Sequence, residues 1–328
     1  MYSINYVCKR EKNLYIISFW LIISLILVFL IIIVGGLTRL TDSGLSITEW
    51  ELFSGLLPPI NNDSWNLYFN EYKKIPQYKL LNFDMTIEEF KIIFYWEYFH
   101  RILARLIGLF FLIPLIYFYL TKKIKYEYIK VCFLVLALIV SQGIIGWFMV
   151  KSGLVNDVTV SHYRLALHLM TAVFIISIIF WLTMNVAKKR NVIFFNFSTK
   201  NLPFKILILL IYLQIVMGAF VSGLDAGKIY QTWPMMGKTF FPDDIMFKDL
   251  IVFENHSTVQ FYHRILAYII LLYVLFLGTF IYQKKLSYLY SPLLILIFFI
   301  LLQALLGIFT LLSGLNIYLA SAHQIVGV

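Results

Sequence analysis

The stretch Glu97-Tyr-Phe-His-Arg-Ile-Leu-Ala104 returns later in the chain as Gln260-Phe-Tyr-His-Arg-Ile-Leu-Ala267. Working outward, Gly35-Gly-Leu-Thr-Arg-Leu-Thr-Asp42-Ser-Gly44 matches Gly218-Ala-Phe-Val-Ser-Gly-Leu-Asp225-Ala-Gly227, and the same offset of 183 pairs Trp50 with Trp233. Ser141-Gln-Gly-Ile-Ile-Gly146 matches Leu302-Gln-Ala-Leu-Leu-Gly307, Lys151-Ser-Gly-Leu154 matches Leu312-Ser-Gly-Leu315, and His168 falls opposite His323. The offset shrinks from 183 to 155 while the order of motifs stays fixed, so the chain is two copies of one unit.

Between these motifs lie long apolar runs. Of 328 residues, 61% are hydrophobic and 13% charged, against about 45–50% and about 25% in soluble domains. Such a chain cannot coat a water-facing surface, which excludes a soluble enzyme, a disordered chain and a nucleic-acid binder. Seven runs approach the roughly 20 residues that span a bilayer: Leu14–Val34, Ile102–Leu120, Val131–Val150, Leu165–Val186, Ile206–Val221, Ile265–Tyr282 and Pro292–Leu312. An eighth begins near Tyr318 and is expected to be cut short at Val328. The fold expected is an all-α polytopic membrane protein: eight transmembrane helices as two tandem four-helix bundles, 1–190 and 191–328. Four spans per copy keep both copies in one orientation. Thr86-Ile-Glu-Glu89 reads as a capping box, predicting a short amphipathic helix before the second span.

The net charge of +10 reports orientation. Segments between spans alternate without exception. The N-terminal tail and the turns at 121–130, 187–205 and 284–285 total +12, the intervening segments total −6, and Arg101, Arg105, Arg164 and Arg264 at helix ends supply the remainder. The positive-inside rule places the N-terminus in the cytoplasm. No Arg-rich, acid-poor transit peptide precedes the first span, so a bacterial inner membrane is expected. Cys8 and Cys132 fall on the cytoplasmic side and form no disulfide framework.

Ionisable groups inside a bilayer are costly and mark function. His100, His168, His263 and His323 all lie on even-numbered spans at similar depth, in symmetric pairs. One pair per bundle, on facing helices, suits the two axial positions of a haem; a closed zinc site wants four nitrogen or sulfur ligands. His162 and His256 lie in loops and are expected to face solvent. Arg101 and Arg264, each following a histidine, either grip haem propionates or snorkel to headgroups. Glu97 shares a helix face with His100, and its repeat partner Gln260 cannot ionise. A carboxyl in an apolar pocket moves protons readily, so the first bundle is expected to do chemistry and the second to relay electrons.

The runs Gly35–Ser46, Trp96-Glu-Tyr-Phe-His-Arg101 and Tyr163-Arg-Leu-Ala-Leu-His168, repeated in part downstream, resemble haem A synthase of the alphaproteobacterial and mitochondrial branch, over almost the whole chain. The resemblance implies oxidation of the C8 methyl of haem O to a formyl group, by two hydroxylations and loss of water, making haem A for cytochrome oxidase. It implies that His100 and His168 face the haem O/A iron, that His263 and His323 ligate haem b, and that Glu97 is catalytic. It implies haem O synthase and cytochrome oxidase assembly factors as partners, an unidentified electron donor, and a possible homo-oligomer in the lipid bilayer. The outer loops lack the cysteine pair of some members. The alternative is a two-haem b-type electron carrier linked to quinol, which leaves the contrast of Glu97 with Gln260 unexplained.

Overall fold

The computed structural model describes residues 2–50, 54–155, 158–190, 198 and 201–328. Of the groups counted above, Glu51, Asp157 and Lys200 lie outside them, as do the side chains of residues 2–13. Among the described residues the regular structure is helical, joined by turns and loops, with one isolated bridge between Met236 and Thr239. Among the described residues, seven helices are long and apolar enough to cross a bilayer, so the chain is an all-α multi-pass membrane protein. The chain divides into two compact units, Met1–Val160 with Thr171–Asn196, and Ser161–Met170 with Phe197–Val328.

In the first unit, α1 (Tyr2–Leu40) packs on α4 (Ile87–Leu120), which packs on α5 (Tyr126–Gly153). Trp20 anchors the first contact: its indole N–H donates to the Phe110 carbonyl at 3.2 Å and its ring meets Phe111 at 4.8 Å. Between α1 and α4 come α2 (Asn62–Tyr72) and α3 (Pro76–Leu81). Leu45, Ile47, Trp65, Phe69, Tyr72, Ile75, Phe90 and Phe94 bury one apolar cluster that holds this extramembrane cap against the first turns of α4. The capping box is present, with Thr86 and Glu89 bonded reciprocally. It opens α4 itself: the short helix expected there is the beginning of one 34-residue helix that runs on into the membrane. The first turn of α4 is amphipathic and the rest is not, so sequence periodicity divides what the backbone joins.

In the second unit, α7 (Leu202–Gly223) packs on α8 (His256–Gln283), and α9 (Tyr290–Leu312) packs on α8 and on α10 (Ile317–Gly327). The start of α6 (His162–Ala187) joins the same unit through the buried cluster Ala166, Ala219, Phe220 and Val259. Residues after α1 and α7 turn alike: Asp42 and Asp225, repeat partners, both adopt the left-handed conformation, with φ 51° and 52°. Asp is among the few side chains that visit that region readily. On α9, Leu294, Phe298, Leu301, Leu305, Phe309 and Leu312 recur every three or four residues and are exposed, a face suited to acyl chains rather than water.

Candidate functional site

Helices α4 and α8 carry the duplicated motif, and in each unit it does two things at once. It seats a histidine against a glycine of the preceding long helix, and it clasps the loop that follows that helix.

The seats come from close approach. A Cβ placed on Gly35 of α1 would lie 2.9 Å from Cε1 of His100, and one on Gly218 of α7 would lie 3.2 Å from Cε1 of His263. Only a residue without a side chain lets those helices meet over an imidazole. His323 has the same arrangement, since a Cβ on Gly307 of α9 would fall 2.8 Å from its ring.

The clasps are built from backbone. Arg101 donates through Nη2 to the Ile47 carbonyl at 2.8 Å and through Nη1 to the Glu49 carbonyl at 3.1 Å. Arg264 donates through Nη2 to the Tyr230 carbonyl and through Nη1 to the Thr232 carbonyl, each at 2.9 Å. The offset of 183 that pairs Trp50 with Trp233 also pairs Ile47 with Tyr230 and Glu49 with Thr232. Both arginines therefore hold equivalent carbonyls of equivalent loops, a role that neither the propionate nor the headgroup reading anticipated.

Glu97 and Gln260 meet this common frame differently. Glu97 is 3% exposed, and its carboxylate accepts four hydrogen bonds. Oε2 takes the Ser46 hydroxyl at 2.8 Å and the Ile47 N–H at 2.9 Å; Oε1 takes Arg101 Nη2 at 2.6 Å and Nε at 3.0 Å. The expected apolar pocket is thus a polar one, lined by donors. Gln260, equally buried, donates Nε2 to the Tyr230 carbonyl at 2.9 Å, and Ser46 is replaced by Ile229 at the matching position. The loop of the first unit is adapted to an anion, and the loop of the second to an amide.

In the second unit His263 of α8 and His323 of α10 face each other, with ring centroids 6.4 Å apart and planes at 85°. Two imidazoles on opposite sides of one metal ion, at about 2 Å per bond, leave their centroids roughly 6 Å apart. Nδ1 of His323 lies 3.1 Å from the Gln303 carbonyl, which leaves Nε2 as the free ligating atom. Donor type, spacing and glycine seats are of the kind that would let His263 and His323 hold one metal ion between them. Gln214 of α7, unremarked in the sequence, lies 3.2 Å from Nδ1 of His263 and also donates to its carbonyl oxygen at 3.1 Å.

His100 is half-buried in the first unit, and His168 is half-buried on the segment of α6 that packs in the second unit. His256 is exposed at the start of α8, as expected. His162 departs from expectation: it is 7% exposed, tilted against Tyr163 at 4.0 Å and edge-on to Phe220 at 5.1 Å. Gly223 makes the space, since a Cβ there would come within 2.6 Å of the His162 side chain. Leu40 stands opposite Gly223 in the repeat, so comparison of the halves conceals that space.

The chain resembles known proteins over nearly its whole length. The cytochrome oxidase assembly protein family COX15-CtaA matches residues 18–328. The haem A synthase of Pelagibacter ubique is 49% identical over 312 residues, covering 94% of this chain and 91% of that one. The haem A synthases of Parvibaculum lavamentivorans and Rickettsia canadensis are 40% and 42% identical, with coverage of 98% and 94% of this chain and 93% of each relative.

Proposed function

This chain belongs to the COX15-CtaA family of cytochrome oxidase assembly proteins, and we propose that it oxidises the C8 methyl of haem O to the formyl group of haem A. The observation that carries the reading is the broken symmetry of the two units. One motif is built twice, yet only the first copy holds a carboxylate, and it does so with four donors. The enzyme is an oxidoreductase acting on a methyl group. Its substrate is haem O and its product haem A.

The second unit is assigned a resident haem b, held by His263 and His323; bound there, it supplies one-electron redox chemistry. By the repeat, His100 and His168 are assigned to the iron of the substrate haem, so that residues 1–190 carry the substrate site and 191–328 the haem b site. Glu97 is the catalytic residue. Three residues from His100 on α4, it can accept or return a proton beside the methyl carbon that is oxidised. Arg101 holds that carboxylate and, through the carbonyls of Ile47 and Glu49, keeps the loop closed over the helix end. Arg264 does the second task alone. The lipid-facing surface suits a farnesylated substrate arriving from the bilayer. The N-terminus is assigned to the cytoplasm of a bacterial inner membrane, and a haem O synthase and oxidase assembly factors are the functional neighbours.

Extraction of the haems from purified protein tests the reading. Haem O, its hydroxylated form or haem A is expected beside haem b. Haem b alone in both sites would leave an electron carrier in place of an enzyme.

A further inference from the structure

The histidine assigned above to the substrate iron stands on a helix start that packs with residues of the second copy. His168 lies in the segment Ser161–Met170 of α6, and that segment belongs to the compact unit built from Phe197–Val328. His162, Ala166 and Leu169 recur at i, i+4 and i+7, so they share one face of α6 across two turns. Ala166 and Leu169 pack with Ala219 and Phe220 of α7 and Val259 of α8. His162 completes that face in a notch: a Cβ on Gly223 would lie 2.6 Å from its Cβ and 2.8 Å from its Cα. Beside the notch, the Tyr163 hydroxyl donates to Glu254 Oε1 at 2.9 Å.

The matching helix start of the second copy is built differently. The offset of 155 that pairs His168 with His323 pairs His162 with Ile317 and Tyr163 with Tyr318, which are 40% and 82% exposed. The offset of 183 pairs Gly223 with Leu40, so α1 carries a side chain where α7 has its notch. His323 is placed by α9 of its own copy, through the Gln303 carbonyl and Gly307. We propose that His162, seated against Gly223, is the positioning residue for His168: it fixes the depth and rotation of the start of α6, and with them the imidazole offered to the substrate iron less than two turns further on. A helix held at three points of one face can neither slide nor roll, and a liganding side chain tolerates an error of roughly 0.5 Å. The inference rests on the assignment of His168 to the haem O/A iron made above. Residues of 191–328 thereby take part in presenting a ligand that belongs to 1–190.

The test uses the full chain, purified from cells that supply haem O, as Gly223→Ala, His162→Ala and His168→Ala. The readouts are haem O plus haem A per chain, haem b per chain, and the spin state of the retained haem O by electron paramagnetic resonance. Carbon atoms in contact sit about 3.5–4.0 Å apart. A methyl on Gly223, 2.6 Å from His162 Cβ, therefore pushes the start of α6 back by about 1 Å, more than a ligand tolerates. Gly223→Ala is expected to retain about 10-fold less haem O and haem A, with the remainder shifted from low to high spin. Its haem b is expected to be unchanged, because the seats at Gly218 and Gly307 are untouched. His162→Ala removes the anchor without the clash and is expected to show the same pattern more weakly. Unchanged haem O and haem A in both variants, with His168→Ala losing them, would overturn the role of His162. Loss of haem b together with haem O in both would make the cluster a support of the fold alone and overturn it equally. Full retention of haem O and haem A in His168→Ala would overturn the assignment of His168 itself.

Discussion

Glu97 is the residue to which the proposed chemistry assigns the proton, and its surroundings decide what its removal does. Glu97→Gln keeps the shape but places an amide N–H against donors, Arg101 or the Ile47 N–H. Conversion of haem O is expected to be abolished while haem stays bound, as read by extraction and visible spectra; normal accumulation of haem A would remove Glu97 from the mechanism. Arg101 is a harsher site: losing one partner of a buried ion pair costs about 3–5 kcal/mol, so Arg101→Ala is expected to yield little folded protein. The glycine seats make a graded prediction. A methyl on Gly35 meets His100 at 2.9 Å and one on Gly218 meets His263 at 3.2 Å. Gly35→Ala is therefore expected to reduce substrate haem content more than Gly218→Ala reduces haem b; the reverse order would contradict the packing. The four histidines and Glu97 were legible in the sequence because the repeat isolates them. Gln214, beside His263, was not, because a glutamine in a long apolar run carries no pattern of its own.

At the scale of elements, the cap of α2 and α3 hangs on Tyr72. Its hydroxyl donates to Gln77 Oε1 at 3.0 Å and accepts from Asn82 Nδ2 at 2.7 Å, while Gln77 reaches the Asp42 carbonyl at 3.1 Å. Tyr72→Phe strands the buried amide of Gln77 and the half-buried one of Asn82, at about 1–3 kcal/mol, measurable as a lower unfolding temperature in detergent with haem content initially intact. Burial pushes this hydroxyl from the ordinary 10.0 up to about 12. The unfolded chain then loses its proton first as pH rises, so the stabilisation present below pH 10.0 is lost on the way to about 12. Tyr72→Phe is expected to lack that part of the alkaline loss. Apolar runs announced the seven long helices. They did not announce where α4 begins, since its first turns are held by the cap and not by a lipid-facing run. Nor did they announce the burial of His162, which depends on a glycine 61 positions away in the chain.

For the molecule as a whole, the charge alternation leads us to expect the long segments after α1 and α7 on the side opposite the basic turns. Single cysteines at the exposed positions Asn66 and Lys238, in a chain with Cys8→Ser, are expected to react with an impermeant maleimide from outside intact inner-membrane cells. Cysteines at exposed Lys122 and Lys284 should react only after permeabilisation; Cys132 is fully buried and contributes no background. Labelling of the second pair in intact cells would invert the topology. Composition alone made the membrane reading unavoidable, and the repeat made the two halves visible. The loop clasps stayed hidden, because they are made to carbonyl groups, which every residue possesses.

That last property has an evolutionary corollary. A contact that reads only main-chain oxygen places no demand on the side chain that carries it: Ile47 and Tyr230 differ in size and polarity, as do Glu49 and Thr232, yet each pair is gripped alike. After duplication, each loop was free to drift in sequence without loosening the histidine one residue away from its arginine. The two halves could diverge in sequence while His100 and His263 kept their seats against Gly35 and Gly218.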